Sequence, residues 1–247
     1  QLSFATGRDS VLTLEVRWRD GTVSTIEGAR ANRLYEVNQN GAATSPRLAP
    51  PTGAALFADA TALLGGHTHV ESSFDDFARQ PLLPNRFSQL GPGVSWIDVD
   101  GDGREDLVVG AGRGGALTVL RNTPGGFAPA RTAGAAAGDL GTVLPAWRGG
   151  GGLTLVASQA NYEAATKDDA LALPGVLGYA ITAGRPGPAS VVAGPDSAST
   201  GALALGDVNG DGIPDLFVGA RVRPGAWPLP AHSRLLLGSA AGTFTPD

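Results

Sequence analysis

From Leu12 the chain alternates strictly: Leu12, Leu14, Val16 and Trp18 are apolar with polar residues between them, and after Asp20-Gly21 the alternation resumes with Val23 and Ile26. A period of two marks a half-buried strand, and Asp-Gly between two such runs marks a hairpin turn. "ANRLYEV", residues 31 to 37, predicts a third strand. Residues 38 to 55, "NQNGAATSPRLAPPTGAA", are small, polar and proline-rich, which is linker composition. The stretch that follows carries aromatic anchors Phe74 and Phe77 between prolines that forbid a long regular element. It predicts an ordered arm with one helical turn. The chain therefore divides into 1–39, a linker and arm over 40–92, and a strand-rich region over 93–247.

The third region is a repeat. "SWIDVDGDGREDLVVGA" at 95–111 returns as "ALGDVNGDGIPDLFVGA" at 204–220, with Asp98 falling on Asp207, 109 positions on. Two units of about 50 to 55 residues fit that offset, at a period typical of repeat folds. A hidden middle copy is expected at "PAWRGGGGLTLVAS", 145–158, with Gly149 to Gly152 where the outer copies have acidic residues. The first unit divides into strands at Gly93–Ile97, Asp106–Ala111, Ala116–Asn122 and Phe127–Arg131. Four short strands repeated at this period predict an all-β chain of β-propeller blades, about three of them, the middle one degenerate. A β-sandwich also has short strands, but not near-identical loops at a fixed period.

Composition agrees. With 37 glycines and 18 prolines in 247 residues the chain has the turn-formers that many short strands need, and an apolar share of 42% can supply a core. The net charge of −5 offers no basic stripe for nucleic acid and no polybasic membrane patch. No run approaches the ~20 apolar residues of a membrane helix. With no cysteine there is no disulfide or thiolate chemistry. Gln1 opens without a signal sequence, so the chain is expected to be soluble and a processed or trimmed product.

The acidic loops carry the chemistry. Asp98, Asp100, Asp102 and Asp106 occupy positions 1, 3, 5 and 9, and Asp207, Asn209, Asp211 and Asp215 repeat that spacing. Crowded carboxylates repel and raise one another's pKa unless a cation neutralises them. Alternate side chains of a curled loop can converge, Gly101, Gly103, Gly210 and Gly212 permit the curl, and the position-7 carbonyls of Arg104 and Ile213 add further oxygens. Oxygen ligands without histidine or cysteine select a hard cation, and a flexible six- or seven-oxygen loop suits Ca²⁺ better than Mg²⁺. Two Ca²⁺ sites are expected, acting as structural staples, because neither loop shows an open coordination position beside an acid or base. The middle copy has no ligand.

These loops, followed by "DLVVGA" or "DLFVGA", resemble the FG-GAP/VCBS repeats of integrin-α-type propellers, where such loops bind Ca²⁺. The first 39 residues, with "FATG", "EVRWRDGTV" and "ANRLYEV", resemble the ASPIC/UnbV domain of cartilage acidic protein-like proteins; the usual pattern is closer to "FGLG" and "WPDG", so Ala5, Thr6 and Arg19 depart from it. "FDDFARQPLLPNRFSQLGPGVSWIDVDGDG" looks like the stretch that joins such a domain to a second propeller in large bacterial members. The resemblance implies a small β-rich ASPIC/UnbV-like domain ahead of a partial propeller. It also implies incompleteness: a propeller needs about four to eight blades. Further polypeptide, partner chains or an open array would answer, with Leu107, Val109, Leu216 and Val218 or their neighbours expected on an uncovered inter-blade face.

Other candidates have ordinary readings beside them. His67 and His69, with Glu71 close by, have a spacing that could hold a transition metal, and a polar loop explains them equally. His232 reads as a surface residue. "GAGRGG", 110–115, leads into a strand rather than a helix and so is no phosphate loop. "SQANYE" from Ser158 and Lys167-Asp-Asp offer polar groups but no nucleophile and base at a usable spacing. Trp18, Trp96 and Trp147 read as packing residues, and Trp227 as a loop aromatic that could meet a partner. The expected function is a non-catalytic, calcium-stabilised binding or scaffold module, bacterial, secreted or at the cell surface. It would serve adhesion or interaction with protein subunits or surface glycans, bind no nucleic acid, not insert into membranes and associate with further blades or other chains. The alternative is a propeller-based carbohydrate lyase or hydrolase with its site on loops.

Overall fold

The computed structural model describes residues 4, 6–44, 57–131, 134–148 and 152–247, and the side chains of 129–131 and 147–148 are not described. It divides into two compact units, Gln1–Ala58 and Asp59–Asp247.

In the first unit β1 (Val11–Arg17) and β2 (Thr22–Arg30) form the expected antiparallel hairpin, with Arg17 opposite Val23 and Val11 opposite Arg30. The Asp20 carboxylate closes the turn by accepting from the Thr22 N–H at 3.0 Å and the Thr22 hydroxyl at 2.7 Å. Along β1 exposed and half-buried residues alternate, with Leu12, Leu14 and Val16 on the sheltered face. The third strand is not where the sequence places it. Residues 31–37 are irregular, and β3 (Ala43–Thr44) pairs with the start of β2 instead. Asn32 at φ 57° turns the chain back, and the Tyr35 hydroxyl then accepts from the Arg30 N–H at 2.6 Å. It also donates to the Arg30 carbonyl at 3.3 Å, so a side chain takes the backbone groups that a neighbouring strand would use.

The second unit opens with an arm, residues 59–92, holding a 3-10 turn at Thr61–Leu64 and one helical turn, α1 (Asp76–Arg79). Asp75 caps α1 by accepting from the Phe77 and Ala78 N–H groups. Asp76, wholly buried, accepts from the N–H groups of Phe87 and Ser88 at 2.6 and 3.0 Å and so fixes the return of the arm.

Three four-stranded antiparallel sheets follow in chain order. Blade one is β4 (Val94–Ile97), β5 (Asp106–Val109), β6 (Thr118–Thr123) and β7 (Gly126–Arg131). Blade two is β8 (Leu140–Arg148), β9 (Gly152–Gln159), β10 (Pro174–Thr182) and β11 (Arg185–Pro195), with α2 (Lys167–Ala172) in the loop before β10. Blade three is β12 (Ser199–Gly206), β13 (Asp215–Val222), β14 (Arg234–Gly238) and β15 (Phe244–Pro246). The first strands of successive blades are neighbours, β4 against β8 and β8 against β12, as inner strands of a propeller are. In the degenerate copy Arg148 pairs directly with Gly152, and Gly149 to Gly151 lie outside the described residues.

The core lies between blades, because a strand in such a stack buries both faces. Val108 and Val119 of blade one meet Val143, Leu155 and Tyr179 of blade two. Val156 and Val176, on the other face of blade two, meet Leu203, Leu216 and Val218 of blade three. Leu216 and Val218 are thus interior, not on an uncovered face, while Leu107 and Val109 are covered by Leu64 of the arm and by Phe127. The apolar side chains left outward are their strand neighbours: Phe217 is 45% exposed, and Trp96, 6.0 Å from the Phe127 ring, is 53% exposed. Trp96, expected to pack in the core or between blades, instead lies half exposed beside Phe127 of its own blade, and the Trp147 side chain is not described.

The arm reaches two of the other blade loops. Arg79 donates to the carbonyls of Tyr162 and Ala164 in blade two, its guanidinium 4.6 Å from the Phe74 ring centroid. Gln80 donates to the Trp227 carbonyl in blade three. The inter-blade core accounts for cooperative stability, so Leu155→Ala, at a fully buried position, should cost about 2–5 kcal/mol in urea unfolding. A loss below about 1 kcal/mol would show that blades one and two do not share a packed core.

Candidate metal centre

Each acidic loop joins the first and second strands of its blade. In the β4–β5 loop the Asp98 carboxylate accepts from the Gly101 N–H at 2.7 Å and the Gly103 N–H at 2.9 Å, winding the backbone around itself. Gly101 and Gly103 take φ of 79° and 85°, a left-handed geometry that a β-carbon disfavours. The β12–β13 loop repeats this, with Asp207 accepting from Gly210 at 2.7 Å and Gly212 at 2.8 Å, the glycines at φ 78° and 82°. Asn209 accepts from the Asp211 N–H at 2.9 Å as Asp100 accepts from Asp102 at 3.2 Å.

The ninth residue is the buried anchor. Asp106 accepts from the Val99 N–H at 3.0 Å and the Asn122 N–H at 2.7 Å, so one carboxylate ties the loop to the third strand of the blade. Asp215 does the same with Val208 at 2.9 Å and Gly238 at 2.8 Å. Asp106 is wholly buried and Asp215 is 1% exposed.

Asp98, Asp100 and Asp106 each bring a carboxylate oxygen within 4.8 Å of the others. Asp102 does not join them; its carboxylate accepts from the Arg104 N–H at 2.9 Å and pairs with the Arg104 guanidinium. Asp211 accepts from the Ile213 N–H at 2.8 Å and from the Asn209 amide at 3.0 Å. The second loop is not among the carboxylate groups that converge this closely in the described residues, having Asn209 where the first has Asp100. Arg121, 3.5 Å from Asp100, supplies the first loop with a cation of its own.

Electrostatics departs from expectation at both first positions. Crowding should raise these carboxyls, but the Gly103 N–H, helped by that of Gly101, holds Asp98 below the usual carboxylate range. The Gly212 and Gly210 N–H groups do the same for Asp207. The backbone thus supplies part of the positive field a cation would otherwise provide. Each carboxylate oxygen has two lone pairs, so these bonds still leave acceptor capacity toward the loop centre. The donor set, oxygen only and curled by glycine, fits a hard divalent ion.

A second carboxylate group was not foreseen. Glu71 of the arm, Asp139 at the entry to β8 and Glu163 of the β9–β10 loop also lie with oxygens within 4.8 Å of one another. Nothing local in the sequence announces them, since Glu71 and Glu163 are 92 residues apart. Of the histidine pair, His69 Nε2 is 3.3 Å from Glu71, but neither histidine belongs to a converging metal-ligand group among the described residues, which favours the polar-loop reading. His232 is exposed. The helix α2 was also missed, although its capping box is present in the sequence as Thr166 and Asp169.

Residues 90–128 and 199–225 match the family model for the FG-GAP repeat, and residues 1–44 match that for ASPIC and UnbV. The two FG-GAP matches fall on blades one and three, which carry the acidic loops. FG-GAP repeats often bind calcium and are typical of extracellular or surface proteins. No curated protein and no solved structure matches the chain. No helix among the described residues is long and apolar enough to cross a membrane.

The loop geometry sets a ranking of substitutions. Asp106→Ala or Asp215→Ala leaves two N–H groups without their acceptor and should cost about 1–3 kcal/mol in metal-free buffer. Asp102→Ala, at an exposed position, should cost less than about 0.5 kcal/mol. Equal losses would contradict the anchor role. Because Asp98 and Asp207 titrate below the ordinary 3.8, their contribution is complete above that value and is lost as pH falls through the lowered ones.

Proposed function

From a chain that carries FG-GAP repeats and an ASPIC and UnbV segment, we propose a non-catalytic, calcium-stabilised interaction module of an extracellular or cell-surface protein. The observation that carries this reading is the pair of acidic loops that share one hydrogen-bond pattern, with Asp98, Asp100 and Asp106 converging in the first. Calcium would be held by Asp98, Asp100, Asp102, Asp106 and the Arg104 carbonyl in blade one. In blade three Asp207, Asn209, Asp211, Asp215 and the Ile213 carbonyl would hold it. Asp102 and Asp211 reach the ion by releasing their present partners. A bound divalent ion supplies charge neutralisation and fixes the loop; it gives no reactive species here.

The partner would be a protein subunit or a surface glycan, and no basic stripe invites nucleic acid. The outward apolar side chains of blades one and three, Trp96 and Phe217, make further blades or other chains the natural occupants of those faces. Adhesion or scaffolding on a bacterial surface or in the periplasm is the setting that suits such a module. A carbohydrate-turnover screen with and without EDTA should stay silent in both arms; chelator-sensitive turnover would favour the lyase or hydrolase reading.

Calorimetric titration with Ca²⁺ should give two sites per chain, and Asp100→Ala should remove one. Zero or three sites would overturn the assignment. Bound ion stabilises by mass action, about 2.7 kcal/mol at a hundredfold excess over Kd. Chelation should therefore lower Tm by about 2–4 °C for each kcal/mol lost in a chain of this size. An unchanged Tm in EDTA would make the loops ordinary turns.

A further inference from the structure

The arm meets blades one and two at a junction rich in carboxylates. Glu71 comes from the arm, Asp139 from the connection into β8, Glu163 from the β9–β10 loop and Arg113 from the β5–β6 loop. Asp139 and Glu163 are 3% and 4% exposed, and the Glu71 side chain is 23% exposed. Arg113 is shared, its backbone N–H 3.0 Å from Asp139 and its Nε 3.2 Å from Glu163. The arm is tied in at the same place. Gln89 N–H donates to Glu163 at 2.9 Å, Ser72 Oγ donates to the Arg113 carbonyl at 2.9 Å, and Gly112 N–H donates to the Val70 carbonyl at 3.0 Å. Gly112 lets the Glu71 carboxylate come close, because a β-carbon there would sit 2.6 Å from it and push it aside.

Of the three carboxylates only Glu163 pairs with the Arg113 guanidinium, while Asp139 meets its backbone N–H. Two further groups touch the balance: His69, 3.3 Å from Glu71, adds positive charge only when protonated, and Arg221 of β13 interacts electrostatically with Asp139. We propose that this junction is a proton-dependent clasp, which holds the arm against blades one and two while Asp139 and Glu163 are protonated and loosens it once both are ionised beside Glu71.

Burial, and then the Glu71 charge, pushes Asp139 above its ordinary 3.8. Burial, with the charges of Asp139 and Glu71, pushes Glu163 above its ordinary 4.5. Folded-state values raised in this way mean that the clasp is complete below those ordinary values. Its stability falls as pH climbs through the raised ones. The acidic loops have the opposite sign, so a global melt would mix the two effects, and the readout must be local. Leu90 of the arm also walls a cavity of about 200 Å³ with Asp139, Ser158, Thr200 and Arg221, which release of the arm would open.

Amide hydrogen exchange on the full chain, expressed as protection relative to the intrinsic rate at each pH, reads the arm directly. Protection across 69–90 should fall about tenfold or more from pH 4.5 to pH 8. Glu163→Gln, which mimics the protonated side chain, should flatten the arm's dependence to less than about threefold. Glu71→Gln, at the less buried arm position, gives the same reading if Glu163→Gln does not fold. A flat wild-type profile, or a variant that follows the wild-type curve, would overturn the clasp.

Discussion

The ninth carboxylate of each acidic loop is the constraint on which blades one and three depend. Asp106 starts β5, closes the loop through Val99 and anchors the end of β6 through Asn122. Asp215 does the same for blade three through Val208 and Gly238. A buried carboxylate is costly unless its oxygens are satisfied, and backbone N–H groups from two separate segments satisfy it only when the strands are in register. The residue that could hold an ion from below is therefore also the residue that sets the sheet. Blade two lacks the device and compensates with long strands that pair directly across the hairpin, Arg148 opposite Gly152.

Above that local order, stability comes from apolar faces shared between blades. Val108 serves one interface while Leu107 and Val109, its neighbours in β5, serve the other face, where the arm supplies Leu64. The arm is thus a structural part of the stack rather than a spacer. Beside the Arg79 contacts, its polar ties to blade two include a buried charge cluster whose protonation the surroundings control, which couples arm position to pH.

Much of this was legible in the sequence because it is encoded locally. The Asp20-Gly21 hairpin, the two acidic loops and the strands of blade one follow from alternation, turn residues and a fixed offset, and each depends on contacts close in the chain. The failures share a cause. Residues 31–37 have strand composition, but a single tyrosine hydroxyl occupies the Arg30 backbone groups first. Asp102 keeps the ligand spacing, and what the spacing does not show is its pairing with Arg104 two residues on. The Glu71, Asp139 and Glu163 group is assembled by topology alone, and no local pattern could have placed it. The expectation of mutually raised carboxyls in the loops left out the glycine N–H groups that the curl itself aims inward.

The central claim is that both acidic loops, and not the hairpin of blade two, hold calcium. A two-dimensional ¹H–¹⁵N NMR titration tests it most directly, because the Gly101, Gly103, Gly210 and Gly212 N–H groups donate to Asp98 and Asp207 and will report an ion bound to those carboxylates. The account predicts saturable shifts at all four glycines with Gly152 unmoved. Shifts at Gly152, or none at either pair of loop glycines, would contradict it.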